Sequence, residues 1–259
     1  MKIFDTHAHY DDRAFDADRD ALLGGELFDS TGIVNFANIG CDMKTSRMSL
    51  EIAENDERVY AVIGVIPHHV AEMTENDIDE LRAMAASPKV VAIGEIGLDY
   101  YYDEPAKDLQ HKWFLKQMEL AKELGLPIVI HSRDAAQDTY ELMKQAHAEE
   151  IGGVVHCYSY SEEMAREFLK MGFYFGIGGV VTFKNAKKLK RAVQAIPLDK
   201  IVLETDAPYL TPSPFRGERN DSRYLPYVVE EIARLKEITP EEVAEATYEN
   251  ARRLYRINE

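Results

Sequence analysis

The chain has 259 residues, of which 46% are hydrophobic and 29% are charged, and its formal net charge is −16. This length is typical of one (β/α) barrel and long for a β-sandwich. The acidic balance disfavours broad non-specific binding to DNA, and no apolar run approaches the roughly 20 residues of a membrane span.

The cysteine content and the N-terminus indicate where the protein acts. Cys41 and Cys157 form neither a C-x-x-C motif nor a disulfide framework. The chain enters its first predicted strand at once, without the pattern of a signal peptide. We therefore expect reduced thiols and a cytoplasmic location, with no membrane association and no obligate protein partner.

Short β-rich runs alternate with helical patterns along almost the whole chain. The predicted strands are 2–6, 32–39, 59–66, 90–96, 127–131, 152–157, 173–178 and 201–205. Strands that alternate with helices predict a parallel sheet, and eight is the number that closes into a barrel. We expect an α/β protein whose residues 1–259 form one domain, a single (β/α)8 TIM-type barrel.

Two helices have clear ends, and one long segment has no regular pattern. A helix around 105–124 is predicted to end at Gly125, just before Pro127. An extra C-terminal helix is predicted over Pro240–Tyr255, with Thr239 as its N-cap. The irregular segment 207–223 is long for a compact domain, and such loops are usually functional.

The most informative residues close the first predicted strand, in Asp5-Thr6-His7-Ala8-His9. Alternate side chains of a strand share a face, so Asp5, His7 and His9 are predicted to point the same way. Two converging imidazoles are suitable ligands for a divalent metal. A lone His-x-His is weak, because a histidine after an apolar strand is more often a half-buried residue without a metal.

Four more residues of metal-ligand type follow other predicted strands: Glu95, His131, His156 and Asp206. A carboxylate there is often only a helix N-cap. However, all the strand ends of a (β/α)8 barrel meet at one rim, where active sites lie. Six such residues with open positions predict two divalent metal ions, and the sequence leaves Mg, Mn and Zn open.

Other residues near the rim allow more than one interpretation. Glu204 shares the parity of Asp206, so it is either an acceptor behind a ligand or part of a structural ion pair. His68 and His69 follow the third strand at the same rim, whereas His111 and His147 fall in predicted helices. Aromatic residues at the rim could stack on bases, although most aromatics serve packing. They are Tyr10, Tyr100, Tyr101, Tyr158, Tyr160, Phe183, Tyr209 and Phe215.

Several motifs together resemble a known family over nearly the whole chain. They are Phe4-Asp5-Thr6-His7-Ala8-His9, Gly94-Glu95-Ile96-Gly97-Leu98-Asp99-Tyr100, Pro127-Ile128-Val129-Ile130-His131-Ser132-Arg133, His156-Cys157-Tyr158-Ser159, Phe183-Lys184-Asn185-Ala186 and Leu203-Glu204-Thr205-Asp206-Ala207-Pro208-Tyr209-Leu210. In this order they resemble the TatD-type metal-dependent deoxyribonucleases, a branch of the amidohydrolase-like barrels.

The resemblance implies a ligand set and a reaction. It implies that His7, His9 and Asp206 hold one metal, that His131 and His156 hold the second, and that Glu95 bridges the two. The implied reaction is metal-dependent hydrolysis of phosphodiesters in DNA. Two departures from the family pattern leave these ligands untouched: Ile66 replaces the first histidine of Gly-x-His-Pro-His, and Asp221-Ser222 replaces a usual Glu-Pro.

The residues also suggest how the reaction proceeds. The chain has no Gly-x-Ser-x-Gly elbow, and two bridged metals would supply an activated water instead of a covalent nucleophile. Asp206 is the candidate acceptor of the water's proton, and Glu95 is the second predicted catalytic residue. Arg133 is predicted either to contact phosphate or to pair with Asp134 or Glu163, and His68 and Lys184 are further substrate candidates.

The charge distribution bears on the substrate. Basic residues are concentrated after strands seven and eight, at Lys184, Lys187, Lys188, Lys190, Arg191, Arg216, Arg219 and Arg223. No long basic stripe offsets the net charge, so we expect few phosphate contacts, on DNA ends or short oligonucleotides. With the implied family activity this predicts 3′–5′ exonuclease action. Hydrolysis of another ester or amide, such as an aminoacyl ester on RNA, and a non-catalytic metal-bound scaffold remain alternatives.

Overall fold

The computed structural model describes residues 1–29 and 32–257. Its strands are β1 (Ile3–Ala8), β2 (Ile33–Ile39), β3 (Val59–Ile63), β4 (Val90–Asp99), β5 (Ile128–Arg133), β6 (Gly153–Val155), β7 (Tyr174–Ile177) and β8 (Ile201–Leu203). Its α-helices are α1 (Arg19–Ala21), α2 (Met43–Glu54), α3 (Glu75–Met84), α4 (Lys107–Leu124), α5 (Ala136–Gln145), α6 (Glu162–Lys170), α7 (Lys187–Ala195), α8 (Leu225–Lys236) and α9 (Pro240–Leu254).

The strands form one parallel sheet in the order of the sequence, from β1 to β8. The two edges of the sheet meet through a parallel bridge between Ala8 and Ala207. His9 N donates to Ala207 O at 2.8 Å, and Asp206 N donates to His7 O at 2.9 Å. The predicted (β/α)8 barrel with an extra C-terminal helix is therefore confirmed.

The extra helix closes the end of the barrel at which the strands begin. Small and branched side chains such as Val62 and Val129 fill the interior, and Ala251, Leu254 and Tyr255 join the same apolar cluster. The Tyr255 hydroxyl donates to Thr6 O at 2.7 Å. Helix α9 begins with the predicted cap, because Thr239 and Glu242 form a reciprocal capping box. Within residues 1–29 and 32–257, no helix is long and apolar enough to cross a membrane.

Several strand boundaries differ from the prediction. β4 continues to Asp99, so Glu95 lies inside the strand and not at its end, because Gly97, Leu98 and Asp99 remain in register with β5. β6 and β8 are shorter than predicted and end before His156 and Asp206. α4 begins at Lys107 and ends at Leu124, and the predicted stop residue, Gly125, caps it with a left-handed φ of 67°. His147 lies after α5 and not within a helix.

Candidate metal centre

The two histidines of β1 converge as predicted, but Asp5 does not join them. Nε2 of His7 and Nε2 of His9 lie 3.2 Å apart. The ladder between β1 and β2 changes register between Asp5 and Ala8, so strict alternation fails there. The Asp5 carboxylate instead accepts hydrogen bonds from Thr205 and Ser222. Burial raises its pKa to about 7.

Glu95 is the carboxylate that contacts most of the cluster. Its Oε2 lies 3.3 Å from His7 Nε2, and its Oε1 lies 2.7 Å from His131 Nδ1 and 3.7 Å from His156 Nε2. The Glu95 side chain is only 5% exposed. Residues from β1, β4, β5 and the end of β6 are thus brought around one carboxylate.

Asp206 completes the cluster from the segment after β8, where the edge of the sheet meets β1. Its Oδ1 lies 3.4 Å from His9 Nε2 and 3.8 Å from Nε2 of both His7 and His156. Its φ of 58° is left-handed, and Asp134 and Cys157, which directly follow β5 and His156, share that conformation. Such strained backbone in non-glycine residues is concentrated at functional sites. The Asp206 side chain is 19% exposed, so it faces the open rim more than Glu95 does.

Each histidine on the outer side of the cluster has a partner that fixes its ring. His9 Nδ1 lies 3.0 Å from Ile39 O, and His156 Nδ1 lies 3.2 Å from Glu204 Oε2. His131 Nε2 lies 2.9 Å from Asp99 Oδ2. Such partners orient a metal-binding imidazole and increase its basicity. Of the two interpretations of Glu204, the structure shows the acceptor behind His156.

The Glu204 carboxylate fits inside the barrel because the neighbouring residue on β7 is Gly176, which has no side chain. A Cβ on Gly176 would overlap Oε2 of Glu204. The other carboxylate oxygen, Oε1, accepts from Cys157 N at 2.6 Å. Glu204 therefore fixes both the ring of His156 and the backbone that follows it.

Glu204→Gln is expected to weaken the binding of a divalent metal by about 10–100-fold, the usual effect of removing an outer partner of a ligand. A neutral amide has one acceptor oxygen and cannot serve both His156 and Cys157. Competition with a chelating indicator dye measures the affinity, and Glu249→Gln on α9 is the matched control. An unchanged affinity would contradict this role of Glu204.

The donor set fits a divalent metal. Ligands placed about 2.0–2.2 Å from a tetrahedral ion lie roughly 3.3–3.6 Å from each other. His7 Nε2 lies at close to this separation from His9 Nε2 and from Glu95 Oε2. Two groups of ligand atoms share this region, His7 with His9 and Glu95, and His7 with His156 and Asp206. His7 Nδ1 is buried without a hydrogen-bond partner in the described part of the chain. Imidazole and carboxylate together suit Zn and Mn and also admit Mg.

Charge within the cluster is strongly coupled. Burial would raise the pKa of Glu95, but His156, His131 and His7 hold it well below its usual range. Burial would lower the pKa of His131, but Asp99 and Glu95 raise it to about 9. The pKa of His156 is likewise raised to about 9 against burial, by Glu204 and Glu95. Protons on these rings balance the buried carboxylates, and a metal ion would take their place.

The three predicted substrate residues differ in position. His68 Nε2 lies 3.0 Å from Asp99 Oδ2, although its orientation does not make a hydrogen bond. Arg133 ends β5 with its guanidinium 3.7 Å above the Tyr101 ring, and the ion pairs among the described residues include none with Asp134 or Glu163. Lys184 is exposed just before α7 and has no contact that joins it to the cluster in the described segments.

The last rim loop carries less available positive charge than its sequence suggests. Arg219 pairs with Asp18 at 2.5 Å, and Arg223 pairs with Asp221 at 2.8 Å. Ser222, one of the two departures from the family pattern, donates to Asp5 at 2.7 Å. These residues hold the loop in place. Both guanidinium groups are paired with carboxylates, so the basic residues after β8 offer less free charge to a phosphate than their number indicates.

Sequence reasoning missed two residues of this region. The motif that contains Asp99 indicates no role for it, yet its carboxylate lies between His68 and His131. Asp99 lies four residues after Glu95 on β4, so the alternation of side chains along a strand predicts that both face the cluster. The sequence indicates only a reduced thiol at Cys41, but its Sγ lies 3.6 Å from His9 Nδ1.

Comparison with known proteins agrees with this geometry. The family model described as TatD related DNase matches residues 4–256. An uncharacterized metal-dependent hydrolase of Bacillus subtilis (strain 168), YabD, is 47% identical over 99% of this chain and 100% of its own length. A protein of Cronobacter sakazakii named 3′-5′ ssDNA/RNA exonuclease TatD is 32% identical, with 99% and 98% covered.

A solved structure agrees as well. YJJV, a TatD homolog from Escherichia coli K12, superposes with a TM-score of 0.92 at 29% identity, covering 99% of this chain and 98% of that one. The barrel, the cluster at its rim and the full-length matches lead to one conclusion. The chain belongs to the TatD-related DNase family and is a metal-dependent hydrolase.

Proposed function

We propose that this chain is a nuclease that binds two divalent metal ions and removes nucleotides from the 3′ end of single-stranded or frayed DNA. The observation that carries the proposal is the position of Glu95 among His7, His131 and His156, with Asp206 facing the same point. The family model and the name of the Cronobacter relative support nucleic acid as the substrate.

The assignment of ligands to each ion is the one that the family resemblance implies. His7, His9 and Asp206 would hold one ion and His131 and His156 the other; Oε2 of Glu95 faces His7, and Oε1 faces His131 and His156. When bound, the ions would lower the pKa of a water and offset charge on the phosphate oxygens. Mg, Mn and Zn all remain candidates for both positions.

Asp206 has the geometry of the proton acceptor. Burial would raise its pKa, but contact with His9 and the charges of His156 and His7 lower it, so the carboxylate is ionised at neutral pH. It is the more exposed of the two central carboxylates. Asp206 therefore takes a proton from the attacking water at the rim, while buried Glu95 fixes the histidines around it.

The substrate is held by few positive groups. Arg133 is exposed at the rim and stands two residues beyond His131, where its guanidinium can form two hydrogen bonds to one phosphate. Its charge also opposes the effect of burial on the pKa of the Cys157 thiol, which adjoins His156. With a net charge of −16, contacts limited to Arg133, His68 and Lys184 favour a strand end over a long duplex.

The proposed activity is tested by comparing end-labelled linear single strands with a closed circle of the same length, using protein loaded with Mg, Mn or Zn. We expect stepwise shortening of the linear strand from its 3′ end and an intact circle, with a shallow salt dependence because few phosphates are contacted. Equal cleavage of the circle would contradict exonuclease action. Hydrolysis of amide or aminoacyl ester substrates without any cleavage of DNA would replace the proposal by its alternative.

A further inference from the structure

Three consecutive tyrosines follow β4, and only the first is packed against the protein. The Tyr100 hydroxyl lies 2.6 Å from His111 Nε2 and donates to Asp138 at 2.7 Å. The Lys107 ammonium lies 3.7 Å above the same ring. The Tyr101 and Tyr102 rings remain 58% and 52% exposed. Two neighbouring exposed aromatic rings beside a catalytic rim are candidates for ligand contact.

The loop that presents these rings is held at both ends by one buried side chain. Gln110 on α4 accepts from Asp99 N at 2.9 Å and donates to Asp99 O and Pro105 O at 3.0 and 2.8 Å. Asp99 in turn accepts from Tyr101 N at 2.9 Å. The backbone that carries the rings is therefore held in place before any ligand arrives, and this lowers the entropy lost on binding.

A continuous row of side chains joins the loop to the metal centre. Asp99 lies between His131 and His68, and the His68 ring meets the Tyr102 ring edge to face at 5.4 Å. Tyr102 in turn stands perpendicular to Tyr101, with the ring centres 4.9 Å apart. Arg133 covers Tyr101 at 3.7 Å. We call His68, Tyr101, Tyr102 and Arg133 the tyrosine strip.

We propose that the tyrosine strip binds the nucleotide next to the scissile phosphodiester, with Tyr102 as a stacking platform for its base. Tyr101 is a positioning residue, because its ring holds the Arg133 guanidinium in place while leaving the N–H edge available to phosphate. The inference rests on the proposed nuclease function and deepens it by naming the part of the substrate that is recognised.

The chemistry of stacking determines the expected specificity. Every base has a π face, so a tyrosine platform accepts any sequence. A base inside a duplex is already stacked and paired, so it reaches Tyr102 only from a single strand or a frayed end. The tyrosine strip therefore supplies a physical reason for single-strand preference that the metal ions and Arg133 do not supply.

The test combines removal of the ring with removal of the base. Metal-loaded wild type and Tyr102→Ala are assayed on oligonucleotides that carry an abasic residue at each of the last three positions in turn. Deleting the base that meets Tyr102 is expected to raise the KM of wild type about tenfold, within the range of one base–aromatic stack. Tyr102→Ala is expected to show the same rise on intact DNA, no further rise with that abasic residue, and kcat within about twofold of wild type.

Two further variants separate stacking from general damage. Tyr102→Phe keeps the ring and is expected to behave as wild type, and so is Tyr248→Ala on α9, at the opposite end of the barrel. The stacking role of Tyr102 would be refuted if the effects of Tyr102→Ala and of the abasic residue on KM were additive at every position. It would also be refuted if Tyr102→Phe raised KM as much as Tyr102→Ala. A metal-loaded wild type that cuts no oligonucleotide would instead refute the proposed function itself.

Discussion

Asp206→Asn is expected to lower kcat by about 10²–10⁴-fold, the usual contribution of a positioned general base. The amide has nearly the same shape as the carboxylate, and it can still fill the space beside His9 and His156. It is a very poor proton acceptor, so the chemical step fails while the barrel remains folded. Single-turnover cleavage of an end-labelled strand measures the effect, with circular dichroism as the check on folding.

A buried carboxylate of the same loop gives the matched control. Asp221 is 2% exposed and pairs with Arg223, outside the cluster. Asp221→Asn is therefore expected to retain most of the activity, even if the fold loses some stability. Near wild-type turnover by Asp206→Asn would show that another group accepts the proton.

Glu95→Ala is expected to lower both the metal affinity and the activity. Each decrease should exceed the roughly 10–100-fold that follows removal of a residue that only orients a metal ligand. The change removes the only side chain among the six predicted ligands that lies within 4 Å of His7, His131 and His156 at once. Glu95→Gln separates charge from volume, because it keeps the shape and removes the negative charge. If Gln restored metal and activity, the role of Glu95 would be packing and not ligation.

The barrel and the residues around its rim were predictable because parallel strands bring their ends together. His7 and Glu95 lie in the last part of β1 and the second half of β4, and His156 and Asp206 follow β6 and β8. The closure of eight strands therefore suffices to place these distant residues together. Glu204 could be placed by parity with Asp206, and its carboxylate does lie inside the barrel.

The features that the sequence did not predict depend on local departures from regular structure. Asp5 leaves the face of His7 because the β1 ladder changes register. Arg219 belongs to the basic residues after β8, and only the structure shows that the loop pairs it with Asp18. Tyr102 resembles its two neighbours in sequence, and only the loop held by Gln110 shows that Tyr100 is packed while Tyr102 is exposed.

The most direct test of the metal centre is the metal content of wild type and Glu95→Ala measured side by side. Both proteins are stripped with a chelator, reloaded separately with Mg, Mn and Zn, and analysed by elemental mass spectrometry after removal of excess ion. We predict about two equivalents per wild-type chain for at least one metal, from the two sets of ligands, and less than one for Glu95→Ala. A wild-type content near zero under every loading condition would contradict the account.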